Sequence, residues 1–165
     1  MSDNKPDAPV VNINGHGKPN IVVCDLDGTL CNSAHREHLA RHGEWAQFHM
    51  LLTADQPHED VRAVVNTLQR AGNYIVGLTG RIERWRPATL DWLRNHNVAL
   101  DDLLMRPDDD FTPDVKLKPR LLLGMFGSPD VARQEVLLIL EDRDRMVEEW
   151  RNLGFRCWQT QPGGY

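Results

Sequence analysis

The sequence predicts an α/β fold: an open, mostly parallel five-stranded sheet with helices on both faces and a small helical cap. Three observations predict it. Short apolar runs alternate with longer segments of helical period. The runs are apolar at consecutive positions, as strands buried on both faces require. Several run directly into polar residues, and such sheets hold their ligands beyond the carboxyl ends of the strands.

The elements follow in order. Residues 1–19 are polar and rich in Pro, Gly and Asn, which reads as a flexible leader. The stretch Gly15 to Pro19 is not a phosphate loop, because no Ser or Thr follows Lys18 and no strand precedes it. Ile21 to Cys24 is the first buried strand. Residues 34–52 read as a helix that carries Trp45, Phe48 and His49. Core packing of that helix outranks a cap or base-stacking role for these rings. Val61, Val64, Val65 and Leu68 recur at helical spacing between Asp60 and Arg70, and Ala71-Gly72-Asn73 closes that helix. Tyr74 to Leu78 is the second strand, Glu83 to Asn95 a helix, and Leu103 to Met105 a short strand. Asp108, Asp109 and Asp110 read as a solvated turn. A helix is expected to open at Pro119, a favoured first helical position. Val136 to Leu140 is a fourth strand, Arg145 to Leu153 a helix stopped by Gly154, and Phe155 to Gln159 the last strand.

Bulk properties narrow the classes. A chain of 165 residues suits one domain, expected over 20–165. The net charge of −5 gives no general reason to bind nucleic acid, though it leaves room for a local basic pocket. Three cysteines without metal-ligand spacing make no disulfide framework, so a cytoplasmic location is expected. No segment has the apolar length of a signal peptide or a membrane span, so no membrane partner is expected.

The polar residues after the strands form a pattern. Asp25, Asp27, Gly28 and Thr29 follow the first strand, Thr79, Gly80 and Arg81 the second, and Glu141 and Asp142 the fourth. Lys116 and Lys118 precede the fourth strand. All would converge at one edge of the sheet. Carboxylates gathered together repel unless a cation intervenes. Oxygen-only ligands suit a hard ion such as Mg2+. Asp25 is placed to attack phosphorus and form an aspartyl-phosphate. Asp27 is placed to move the proton to and from the leaving group and water. Thr79 and a lysine would serve the phosphate oxygens.

At these residues a resemblance emerges. Asp25-Leu26-Asp27-Gly28-Thr29-Leu30 resembles the first motif of the haloacid dehalogenase (HAD) superfamily of phosphatases. Leu78-Thr79-Gly80 resembles the second motif, Lys118 the third and Glu141-Asp142 the fourth. The tail from Leu140 to Gln159 resembles the phosphatase domain of the bacteriophage polynucleotide kinase-phosphatase family. The resemblance covers most of 20–165 and implies a HAD-like domain there; the short separation between the first motif and the second strand leaves room for a small cap at most, within 31–56. It implies catalytic Asp25 and Asp27, and Mg2+ held by Asp25, Asp27 and Asp142 with Glu141 in support. It implies phosphate or substrate contacts from Thr79, Gly80, Lys118, Arg81, Arg36 and Asp114. Arg36 lies eleven residues past Asp25, where the family places a phosphate-binding arginine. The lysine register is open between Lys116 and Lys118; Lys118 is preferred because Leu121 fits the family pattern. Glu141 stands where the phage enzyme has Asp. No kinase-type phosphate loop occurs, so a phosphatase without an attached kinase is expected.

The substrate implied is a phosphorylated nucleotide or nucleic-acid end. The leading activity is removal of a 3′-phosphate from a polynucleotide end. The runner-up is hydrolysis of free nucleoside monophosphates, which the acidic composition favours. A silent end-binding module is the third reading, and the presence of both Asp25 and Asp27 argues against it.

Overall fold

The computed structural model describes residues 20–163. The leader expected at 1–19, with its Gly15–Pro19 stretch, lies outside the described residues. In chain order the main elements are β1 (Ile21–Cys24), β2 (Cys31–Asn32), α1 (Glu37–Arg41), α2 (Trp45–Met50), β3 (Gln56–Pro57), α3 (Glu59–Arg70), β4 (Tyr74–Ile82), α4 (Arg86–Asn95) and β5 (Asp102–Arg106). After these come α5 (Asp114–Leu123), α6 (Pro129–Glu135), β6 (Val136–Arg143), α7 (Asp144–Asn152) and β7 (Cys157–Gly163).

The main sheet has five strands in the order β5-β4-β1-β6-β7, and every pairing in it is parallel. Alternation along β1 divides the core in two. Val22 and Cys24 face one side, with Val61 and Val65 of α3 and Trp92 and Leu93 of α4. Ile21 and Val23 face the other, with Leu122 of α5, Ala132 of α6, and Met146, Val147 and Trp150 of α7. Truncating a buried ring such as Trp150 to Ala would cost about 3–5 kcal/mol. The two-layered cover is what an all-parallel sheet needs.

The register decides where the polar residues go. Cys24, the last residue of β1, pairs with Gly77 of β4 and Leu140 of β6. Both neighbours run on beyond β1, to Ile82 and Arg143. Their extensions flank the loop that follows β1, at the point where the chain order splits to the two sides of the sheet. Ligand sites in open α/β sheets lie at such points.

Several boundaries differ from expectation. The helix expected over 34–52 is two short helices, α1 and α2. Gly43, in the left-handed region at φ 74°, separates them, and a 3-10 turn follows at Leu52–Ala54. The α5 helix opens at Asp114, not Pro119; Pro113 and Asp114 supply the start one turn earlier. Pro119 sits inside α5 and leaves the Val115 carbonyl without its usual helical donor. The α6 helix was not expected; Ser128 caps it, its hydroxyl accepting from the Val131 N–H at 3.3 Å. Thr79 lies within β4, which runs on past the strand end expected at Leu78. Segment 31–57 carries α1 and α2 between the antiparallel strands β2 and β3.

Candidate active site

The loop after β1 is tightly wound. The N–H groups of Thr29, Leu30 and Cys31 all donate to the Leu26 carbonyl, and Gly28 N–H donates to the Cys31 carbonyl at 2.8 Å. Gly28 adopts φ 88°, which side chains disfavour, and a Cβ there would lie 2.4 Å from Asp142 Oδ2. The absent side chain lets the loop press against β6. Thr29 joins the two strand ends: its hydroxyl lies 3.2 Å from Asp25 Oδ2 and 3.0 Å from Asp142 Oδ1.

Asp25, Glu141 and Asp142 form one buried cluster, each offering an oxygen within 4.8 Å of the others. The buried Lys118 ammonium donates to Asp25 Oδ1 at 2.6 Å and to Glu141 Oε2 at 2.8 Å. Lys116, its rival in register, is exposed on the same helix. Burial and the Glu141 charge push the Asp25 carboxyl well above the usual range. The same two causes push Asp142 up to about 6. Burial also pushes Glu141 up, but Lys118 and Arg143 outweigh it and hold that carboxyl below its ordinary value. The Lys118 ammonium and the Arg143 guanidinium, which Asp114 shares, do not offset three carboxylates. Oxygen donors with residual negative charge and no thiolate or imidazole among them fit a hard divalent cation.

Asp27 belongs to a different network. Arg81 holds it with Nε at 3.0 Å from Oδ2 and Nη2 at 2.6 Å from Oδ1, and Arg36 Nη2 donates to Oδ1 at 2.5 Å. Behind them the buried Asp55 takes Arg36 Nε at 2.7 Å and Arg81 Nη2 at 3.3 Å. His35 Nε2 lies 2.9 Å from the same carboxyl, and the Asp55 carbonyl accepts from Trp92 Nε1. Burial pushes the Asp27 carboxyl up, but the Arg81 and Arg36 guanidiniums together hold it far below the usual range. The Asp27 side chain therefore lies outside the cluster of Asp25, Glu141 and Asp142. Both arginines were expected on a phosphate; the structure buries both against carboxylates.

Asp114 bridges two further arginines, Arg106 Nη2 at 2.5 Å and Arg143 Nη2 at 2.8 Å. Burial pushes its carboxyl up, and the Arg143, Lys118 and Arg106 charges bring it below the ordinary range. Gly80 makes room: a Cβ there would sit 2.8 Å from Asp114 Oδ1. Thr79 Oγ1 accepts from Arg81 N–H at 3.2 Å.

A cavity of about 440 Å3 opens onto these groups. Asp25, Asp27, Thr79, Gly80, Arg81 and Asp114 line it, as do Arg106 and Arg143. Trp45, Phe48 and His49 also line it, so these rings do more than pack a helix. Asp55, Arg143 and Phe111 were not singled out from the sequence. Arg143 sits directly after Glu141-Asp142, which is a readable signal; Asp55 and Phe111 lie in irregular segments with no local signature.

Fold and site define a phosphatase of the haloacid dehalogenase type. A haloacid dehalogenase-like hydrolase from Streptococcus pneumoniae superposes with a TM-score of 0.60 at 12% identity, covering 86% of this chain and 84% of that one, a likeness of fold. The family model for the polynucleotide kinase PNKP phosphatase domain matches residues 19–165, and the chain belongs to that family. A chain of the Pnkp1/Rnl/Hen1 complex matches with a TM-score of 0.74 and 27% identity, over 90% of this chain and 48% of that one. A protein assigned as a bifunctional polynucleotide kinase/RNA ligase, from Autographa californica nuclear polyhedrosis virus, is 28% identical over 137 residues. That match covers 82% of this chain and 18% of the viral protein. The chain thus spans half or less of the length of these last two relatives. Among the described residues no helix is long and apolar enough to cross a membrane.

Proposed function

We propose that the protein removes the phosphate from a polynucleotide 3′ end by way of an aspartyl-phosphate on Asp25. One observation carries this reading. In a chain of the polynucleotide kinase phosphatase family, Asp25 directly follows the central strand and lines a cavity of nucleotide size. The relatives' assignments to polynucleotide kinases and an RNA repair complex support a nucleic-acid end as substrate.

Asp25, Asp142 and the Asp27 carbonyl would hold Mg2+, with Glu141 in support. When bound, the ion would supply positive charge to the phosphate oxygens and offset the negative charge of the nucleophile. An Asp25 carboxylate oxygen attacks phosphorus, and the bond from phosphorus to the 3′ oxygen breaks. Asp27 gives its proton to the leaving oxygen. A water then attacks the acyl phosphate and returns a proton to Asp27. Inorganic phosphate leaves, and the Asp25 carboxylate is restored. Thr79 and Lys118 serve the equatorial oxygens.

The first step needs a proton on Asp27, which its two guanidiniums disfavour. Arg81 lines the cavity, so an entering phosphate dianion competes with Asp27 for it. Loosening that clamp raises the Asp27 carboxyl toward the protonated form the step requires. Arg81 thus acts on the phosphate directly and through Asp27, and Arg36 through Asp27 alone. Segment 31–56 is a small cap whose α2 rings reach the cavity without closing off a polymer end.

The test is catalytic efficiency on 3′-phosphorylated oligonucleotides of increasing length, beside 3′- and 5′-mononucleotides, at two salt concentrations. Efficiency is expected to rise over the first few nucleotides and to fall with salt. Asp108 and Asp110 at the cavity and the acidic net charge favour the rival reading, a nucleotidase. A preference for the 5′-mononucleotide would establish that rival.

A further inference from the structure

Two of the chain's exposed large apolar side chains meet at the cavity that holds Asp25. Trp45 is 52% exposed and Phe111 is 91% exposed, and both line it. They come from separate segments: Trp45 from α2, Phe111 from the connection between β5 and α5. Exposing such rings costs hydrophobic free energy that nothing in the fold returns.

The α2 side is a built wall. Trp45 meets Phe48 edge-on at 5.8 Å between ring centroids, and Phe48 meets His49 at 5.4 Å. Beneath Phe48 lies the Arg36 guanidinium, 4.0 Å from the ring centroid, itself pinned by Asp27 and Asp55. The wall is therefore fixed to the catalytic network. His49 is 4% exposed and its Nδ1 has no hydrogen-bond partner among the described residues. Burial pulls its pKa down to about 4, so the ring is neutral and keeps unused hydrogen-bonding capacity beside the cavity.

The charges lining the cavity point the same way. Arg81, Arg106 and Arg143 are each committed to a carboxylate. Little uncompensated positive charge is left to hold flanking phosphates. Salt-sensitive contacts to flanking phosphates then supply only part of the affinity for a nucleic-acid end, and every base offers a π face to an aromatic ring. A volume of about 440 Å3 is the size of one nucleotide, so a base seated within it leaves its pairing partner outside.

We propose that Trp45 and Phe111, with Phe48 and His49 behind them, form a stacking site for the terminal base of a single-stranded end. The inference rests on the polynucleotide reading above and adds to it. The site accepts any base, requires one, and disfavours a paired terminus.

The experiment compares 3′-phosphorylated single strands ending in each of the four bases, the same strand with a base-less terminal residue, and a blunt duplex. Wild-type protein is expected to favour a base-bearing end over the base-less one by about tenfold, and the four bases to differ much less. Trp45→Ala and Phe111→Ala should each collapse that ratio through KM, and Trp45→Phe should restore most of it. Trp158→Ala, exposed on β7 away from the cavity, should leave it unchanged. Equal rates on base-bearing and base-less ends, or on duplex and single strand, would overturn the stacking site while leaving the polynucleotide substrate standing. Turnover of glycerol phosphate with none of any oligonucleotide would sink both.

Discussion

Replacing Lys118 by Met removes the ammonium that serves Asp25 and Glu141 but keeps most of the buried stem. Asp25, Glu141 and Asp142 stay behind in the core. Removing one partner of a buried pair costs about 3–5 kcal/mol, because it strands an uncompensated charge. A domain's whole stability is roughly 5–15 kcal/mol. At roughly 2–4 °C per kcal/mol, the melting midpoint should drop by about 6–20 °C. The pH dependence has a sign. In the wild type Glu141 is held below its ordinary value, so its contribution is present above the unfolded pKa and is lost as pH falls through the folded one. Without Lys118, burial and mutual repulsion raise the carboxyls. Their penalty is then full at high pH and relieved on acidification. The stability gap should be widest near pH ~8 and narrow toward pH ~5, where carboxyls with raised values begin to protonate. Urea melts of both proteins in excess chelator, which keeps a cation from replacing the ammonium, measure it directly. A gap below about 1 kcal/mol, equal at both pH values, would show that Lys118 does not hold this cluster together.

Asp25→Asn should lower phosphate release by several orders of magnitude and abolish the acid-trapped phosphoenzyme; near-normal release would place the nucleophile elsewhere. Excess chelator should stop turnover and added Mg2+ should restore it; full activity in chelator would remove the cation from the site. Gly28→Ala forces a side chain into φ 88° and toward Asp142 Oδ2, so it should cost about 1–2 kcal/mol in the backbone alone and lose activity as Asp142 shifts. A wild-type melt and rate for that variant would show that the loop has slack.

Much of the fold was legible because its strands are buried on both faces. Ile21–Cys24 and Val136–Leu140 are continuous apolar runs, and each coincides with all or part of a strand. The first motif was legible because its chemistry is local: Asp25, Gly28 and Thr29 act within one tight loop. Lys118 was found as well, and its burial beside Asp25 and Glu141 separates it from exposed Lys116. Asp55 was not legible. It lies after a 3-10 turn, nineteen residues from Arg36 and twenty-six from Arg81, and no local period marks a residue whose partners are that distant. The rings of α2 were assigned to packing because helical spacing does not distinguish a core face from a cavity wall.

The ends of β4 and β6 show why the misses fall where they do. Apolar patterning stops at Leu78 and Leu140, and strands read from patterning stop with it. The structure carries β4 to Ile82 and β6 to Arg143. Thr79, Arg81, Glu141 and Asp142 on those extensions are as buried as the apolar residues before them. Their burial is stabilised by ion pairs and hydrogen bonds across the site, not by transfer of apolar surface from water. Hydrophobic period reports only the second kind of burial, so it ends where the first kind begins. That boundary is the edge of the catalytic cluster. A polar pair that follows an apolar run without turn residues between them is therefore better taken as a continuing strand, with its charges turned inward toward partners elsewhere in the chain.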